Sequence, residues 1–463
     1  NANDGICGSE LWYSDGTSSG TKLVLDINLS GSSNPTQLIN YNGLLFFSAN
    51  DGISGEELWM SDGNNTKQIA DIHPDGSSMP LFLTSINNQL FFQANDGSRG
   101  IELWKTDGTN NGTSIVADIF SAGSSEPRDL INFDGTLYFS AENNLNGREL
   151  WKSDGTPSGT VMVADINSEG SSDPKYLTVS NGILFFQAKN TEGIELWKTD
   201  GTTIGTTMVK NINLNGNSEP EELTDVNGVL FFRATDSQSG VELWKSDGTE
   251  TGTILVKDIN ANVGSNPSEL TNANGILFFR ATDGISGQEL WKSDGTMEGT
   301  VLVKDINKTG NSNSIPTFIT AFANKVYFAA TDGVKGNELW VTDGTETNTQ
   351  MVIDTVAGAN FIGKQSAVNS AGTDSMLRQG VLLDLAGMPM RESGQLGTHT
   401  AGTMAGGKTG AAGYAIGATT LAFQNATGTG VMVDGDAFTI AGDTNIYVVK
   451  TATFAGANPA TGD

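Results

Sequence analysis

The sequence predicts an all-β chain folded as a β-propeller, and three observations carry that expectation. Glu-Leu-Trp recurs with its tryptophan at 12, 59, 104, 151, 197, 244, 291 and 340, and these are the only tryptophans among the 463 residues. Each interval contains four short apolar runs bounded by Gly, Asn, Asp or Pro, none long enough for a helix. The period of 45 to 49 residues is that of a four-stranded propeller blade, whereas solenoids of this period are mostly helical.

The elements of one blade follow in order. The innermost strand comes first, after a Gly/Ser/Asn/Pro stretch such as Gly31-Ser32-Ser33-Asn34-Pro35, and ends at an Asn-Gly pair. Asn-Gly suits a two-residue hairpin because both central residues need a positive φ. The second strand carries paired aromatics, as in Leu44-Leu45-Phe46-Phe47, with Tyr138-Phe139 and Tyr327-Phe328 as variants. Glu-Leu-Trp is the third strand. It runs into Asp-Gly-Thr in seven of eight copies, Asp62-Gly63-Asn64 being the exception, and that segment reads as a turn. The outermost strand ends in Asp-Ile, as in Leu23-Val24-Leu25-Asp26-Ile27. Apolar residues on both strand faces fit blades sandwiched between neighbours.

Seven blades can be laid out from about 34 to 355. The opening segment, 1 to 27, supplies the third and fourth strands of another. The chain starts in mid-repeat, so either it is processed or incompletely observed or strands of the tail complete an eighth blade; eight blades are favoured, with seven as the alternative. The repeat domain spans 1–356. From 357 to 463 the repeat stops, tryptophan disappears, and a Gly/Ala/Thr-rich, β-rich segment is expected, with strands at 419–423, 437–440 and 446–449. The stretch from Gly397 to Gly413 reads as a loop or arm.

Composition narrows function. The formal net charge is −28, from 53 Asp and Glu against 25 Lys and Arg, which argues against nucleic acid or an anionic membrane as partner. One cysteine, Cys7, excludes a disulfide framework and cysteine-rich metal sites within the chain, and two histidines leave little for histidine-based catalysis. No apolar run reaches the length of a membrane-spanning helix.

With eight Glu-Leu-Trp and seven Asp-Gly-Thr segments over residues 1 to 356, the chain resembles the bacterial ELWxxDGT-repeat proteins. That resemblance implies a secreted or surface-exposed protein and brings no settled catalytic activity. In the tail, Met390-Arg391-Glu392-Ser393, Thr398-His399-Thr400-Ala401-Gly402-Thr403 and Gly435-Asp436-Ala437-Phe438 are similar to a β-rich segment of tailed-phage coat proteins, which implies a virion role as an alternative.

The recurring tryptophans read as blade-to-blade core. The recurring Glu at 10, 57, 102, 149, 195, 242, 289 and 338 read as structural, since catalysis needs one differentiated constellation and these are identical from copy to copy. No catalytic residue is assigned. Asp4, Asp51, Asp96, Asp236, Asp283 and Asp332 recur in the loop between the second and third strands, near Gly and the next Glu. They are candidate ligands for calcium, the one cofactor this chemistry suits, or plain Asp-Gly turns with no ion. The expected function is a non-enzymatic, extracellular or surface-displayed propeller that binds or assembles, with protein or glycan partners or copies of itself. The alternatives are a virion structural or decoration protein and an extracellular polysaccharide-active enzyme.

Overall fold

The computed structural model describes residues 1–352, except 262, 310 and 311, together with six short strands beyond them. The chain divides into two units, Asn1–Val352 and Ile353–Asp463. Every described element of the first unit is a strand, turn or loop. Seven antiparallel four-stranded sheets succeed one another, each with its strands in chain order. In the first of them the strands are Thr36–Tyr41, Leu44–Asn50, Glu56–Ser61 and Thr66–Ala70. A three-stranded sheet of Ala2–Asn3, Ser9–Tyr13 and Lys22–Leu25 precedes these seven blades. The strand phasing read from the sequence is the one observed, and so is the β-propeller class.

The second unit contributes strands at Lys408–Thr409, Leu421–Gln424, Ala437–Thr439, Ile446–Val448, Ala452–Phe454 and Ala460–Gly462. Three of these fall on the expected runs. The predicted arm from 397 to 413 lies outside the described residues, apart from the strand at 408 and 409.

Local chemistry explains the repeat's invariant turns. Asn42 and Gly43 both have positive φ, 52° and 78°, as a tight hairpin between right-twisted strands requires. In the Asp-Gly-Thr turn, Asp154 Oδ1 accepts from the Thr156 N–H at 2.8 Å and its hydroxyl at 2.7 Å. The same hydroxyl oxygen accepts from the Gly159 N–H at 3.0 Å. Threonine thus closes the turn from both sides. In the shortened second copy Asp62 Oδ1 takes two backbone N–H groups instead, from Asn64 and Asn65.

The paired aromatics divide between the two faces of a blade. Phe46 packs with Leu58 and Ile72 against Phe92 and Trp104 of the following blade, while Phe47 packs with Trp59 against Leu11 and Ile27 of the preceding sheet. The first aromatic and the Leu of Glu-Leu-Trp therefore face forward, and the second aromatic and the Trp face back. Six of the eight tryptophans are buried, and Trp12 and Trp151 are half-buried. Lysines after the tryptophan add a polar tie: Lys198 Nζ donates to Gly248 O of the next blade at 2.8 Å, and Lys105, Lys152 and Lys245 repeat the contact. On the last blade the forward-facing Leu339 is 48% exposed, where its counterparts are at most 2%.

Candidate functional site

The repeated glutamates lie at the blade connections. Glu149 is fully buried and accepts from three donors: the Ile166 N–H at 3.0 Å, the Ser172 N–H at 2.9 Å and the Ser172 hydroxyl at 2.6 Å. Glu57, Glu102, Glu195 and Glu289 do the same with Ser78, Ser125, Ser218 and Ser314. One carboxylate thereby pins the third strand to the connection that enters the next blade. Burial pushes these carboxyls up, Glu149 and Glu289 to about 7, against the opposing hydrogen bond from each serine. Glu10 and Glu242 are held likewise, so seven of the eight repeated glutamates are locks, and Glu338 makes no such bond among the described residues.

The calcium candidates all work as turn acceptors. Asp51 Oδ1 takes the N–H groups of Ile53 and Ser54, and Asp283 Oδ1 those of Ile285 and Ser286, at 2.7 to 2.8 Å. Asp4, Asp96, Asp236 and Asp332 make the same pair of bonds. Asp96 also pairs with Arg99 at 2.8 Å. Among the described residues no three His, Cys, Asp or Glu side chains gather as a cation site would need. Because each turn is satisfied by its own backbone, a chelator such as EDTA is expected to leave the melting temperature unchanged; a drop of several degrees would place an ion in these loops.

The residues that differ from blade to blade sit elsewhere, two positions after each proline of the blade connection. They are Gln37, Phe82, Asp129, Tyr176, Glu222, Glu269 and Phe318, and all seven have φ between 54° and 60°. A non-glycine residue in this left-handed region costs on the order of 1 kcal/mol, and such strain concentrates where the side chain has a task. Each marks a bulge, with the inner strand's pairing shifting across it, as between Arg128 and Ile131 or Lys175 and Thr178. Bulges re-aim side chains. Adjacent inner strands are tied here as well: Phe318 N–H donates to Glu269 Oε2 at 2.9 Å, and the Thr271 hydroxyl to Ile319 O at 3.0 Å.

A cavity of about 560 Å³ lies against the inner strands of four successive blades and is lined by Asp129, Tyr176, Glu221 and Glu222. Convergence of four first strands on one cavity places it at the inner edges of the blades. Glu221 is ion-paired with Arg233. Asp129 is half-buried, with no hydrogen-bond or ion-pair partner among the described residues. Burial raises its carboxyl above the usual range, although Lys175, Arg128 and Arg148 pull the other way. Tyr176 is 40% exposed, and its hydroxyl is raised by burial and then by Glu221 beside it.

The sequence reading passed over this ring. Aligning the seven segments on Pro35, Pro80, Pro127, Pro174, Pro220, Pro267 and Pro316 brings Gln37, Phe82, Asp129, Tyr176, Glu222, Glu269 and Phe318 into one column, one of several that vary.

No protein-family model matches the chain, and no curated protein does. Solved structures that align with it include a puromycin-hydrolysing peptidase of Mycobacterium tuberculosis, at 9% identity and a TM-score of 0.40, covering 69% of this chain and 53% of that one. A puromycin hydrolase aligns at 12% identity and 0.39, covering 74% and 56%. The β-propeller domain of the Trilobed protease from Pyrococcus furiosus aligns at 10% and 0.36, covering 69% and 97%. The chain spans little more than half the length of the first two.

Proposed function

We propose that this chain is a non-enzymatic β-propeller, displayed outside the cell or on its surface, that acts as a binding and assembly module. The supporting observation is the contrast within each blade. Locks, turns and core are uniform, while the strained inner-strand position carries Gln, Phe, Asp, Tyr or Glu according to the blade. A repeated scaffold bearing a varied ring is the arrangement of a recognition surface, where specificity is carried by few residues. The acidic charge of the chain keeps copies apart and soluble in an exposed position, and the ELWxxDGT resemblance agrees with display. Antibody labelling of intact cells of the organism that makes the protein tests this. Labelling before lysis is expected; labelling only after lysis would overturn it.

A further inference from the structure

We infer that the cavity over the inner strands is a carbohydrate subsite, taking a short neutral oligosaccharide. This inference rests on the binding reading above and supplies its ligand class. Its volume of about 560 Å³ falls within the roughly 300–1,000 Å³ of small-molecule sites. Three carboxylates on the lining, Asp129, Glu221 and Glu222, repel an anion.

For a cation the negative charge of the lining is offset in part. Arg233 pairs with Glu221, and Lys175 acts on Asp129 together with Arg128 and Arg148, which also pair with Glu126. Glu222 Oε2 accepts from the Leu270 N–H at 3.3 Å. What the cavity still offers is hydrogen-bond acceptors: the Asp129 carboxylate, unpartnered among the described residues, and the second oxygen of Glu222. Sugar hydroxyls donate to such oxygens in a charge-assisted bond without bringing a charge of their own. Tyr176, 40% exposed on the same wall, adds a flat amphipathic surface of the kind that covers the C–H face of a pyranose while its polar end stays hydrogen-bonded.

The strained backbone fits this role. Tyr176 and Asp129 hold φ of 58° and 54°, conformations glycine would adopt without strain. Retaining a tyrosine and an aspartate at a cost in stability places both side chains over the cavity on rigid strands rather than on loops.

The test is calorimetric titration of the full chain with cellotriose, maltotriose and N,N′,N″-triacetylchitotriose, with spermidine as the cation arm. Saturation of at least one trisaccharide is expected. Tyr176→Ala should weaken it about tenfold or more, a change of about 1.4 kcal/mol, and Tyr176→Phe should bind nearly as the parent because the ring is kept. Asp129→Asn should weaken it less than Tyr176→Ala. Failure of all three sugars to bind, or undiminished binding by Tyr176→Ala with its fold confirmed by circular dichroism, would overturn the subsite. Asp129-dependent binding of spermidine alone would overturn the sugar assignment while leaving the cavity a binding site. Cleavage of a sugar bound through Tyr176 would support the subsite and overturn the non-enzymatic reading.

Discussion

Glu149→Ala is expected to destabilise its blade connection by roughly 3–5 kcal/mol, because it strands three buried donors that cost about 1–3 kcal/mol each when left unpaired. Those donors are the Ile166 N–H, the Ser172 N–H and the Ser172 hydroxyl. Glu149→Gln should cost about half as much, since the amide keeps one acceptor oxygen and its NH₂ can donate to the serine oxygen. Native-state hydrogen exchange across residues 147–180 reads the difference locally, which suits a repeat array in which each unit contacts only its neighbours. Equal protection in parent and Glu149→Ala would show that the lock is dispensable.

The same locks set a pH dependence. The carboxyls of Glu57, Glu102, Glu149, Glu195, Glu242 and Glu289 are raised by burial above their unfolded value of 4.5, two of them to about 7. A raised folded-state value means the native state holds its proton more tightly than the unfolded chain. The associated stability is complete below about 4.5 and is lost as pH rises through about 7. Exposed turn aspartates such as Asp154 and Asp247 have lowered values and act oppositely, their contribution fading as pH falls below the usual carboxylate range. Stability is therefore expected to peak near pH 5 and to decline toward pH 8. The carboxyl can keep its short contact when protonated, because the serine oxygen then accepts. A melting temperature that rises steadily from pH 5 to 8 would contradict this.

Trp244→Ala should be the most damaging single core change, costing about 3–5 kcal/mol for an emptied aromatic site. Trp244 is buried with Phe232 and Leu230 against Leu196, Phe185 and Val209 of the preceding blade. Trp244→Phe should cost much less. Only Trp340 among the eight uses its indole N–H within the described residues, donating to Ala330 O at 3.1 Å, so at position 244 the ring's area matters more than its polar edge. Urea unfolding of the two variants measures both. Similar losses for Phe and Ala would show that the N–H, and not the packing, holds the site.

The scaffold was legible because its physics repeats. Tryptophan at a fixed phase, Asn-Gly hairpins and paired aromatics each have one structural meaning, and eight copies average out local drift such as His73 or Asn64. Two features escaped that reading. The donors to the glutamates come from serines 21 to 25 residues away, a distance only the folded connection closes. The inner-strand ring was hidden for the opposite reason: its residues share no chemistry, and what they share, a left-handed φ at a bulge, is not written in side-chain type. Phe82, Asp129 and Tyr176 have no common propensity for that conformation. Tertiary pairing with the second strand and with the next blade imposes it. The six loop aspartates were correctly singled out as recurrent, yet their Oδ1 atoms serve the backbone of their own turns.

Isothermal titration of trisaccharide into a chain carrying Asp129→Gly, Tyr176→Gly and Glu222→Gly together tests most directly whether the strained inner-strand ring is the binding surface. Glycine accepts the left-handed backbone at all three positions, so the blades should stay folded, with the melting temperature lowered only by loss of the Glu222 bond to Leu270 and the binding heat abolished. A folded triple variant that binds as tightly as the parent would contradict the assignment and move recognition away from the inner-strand cavity.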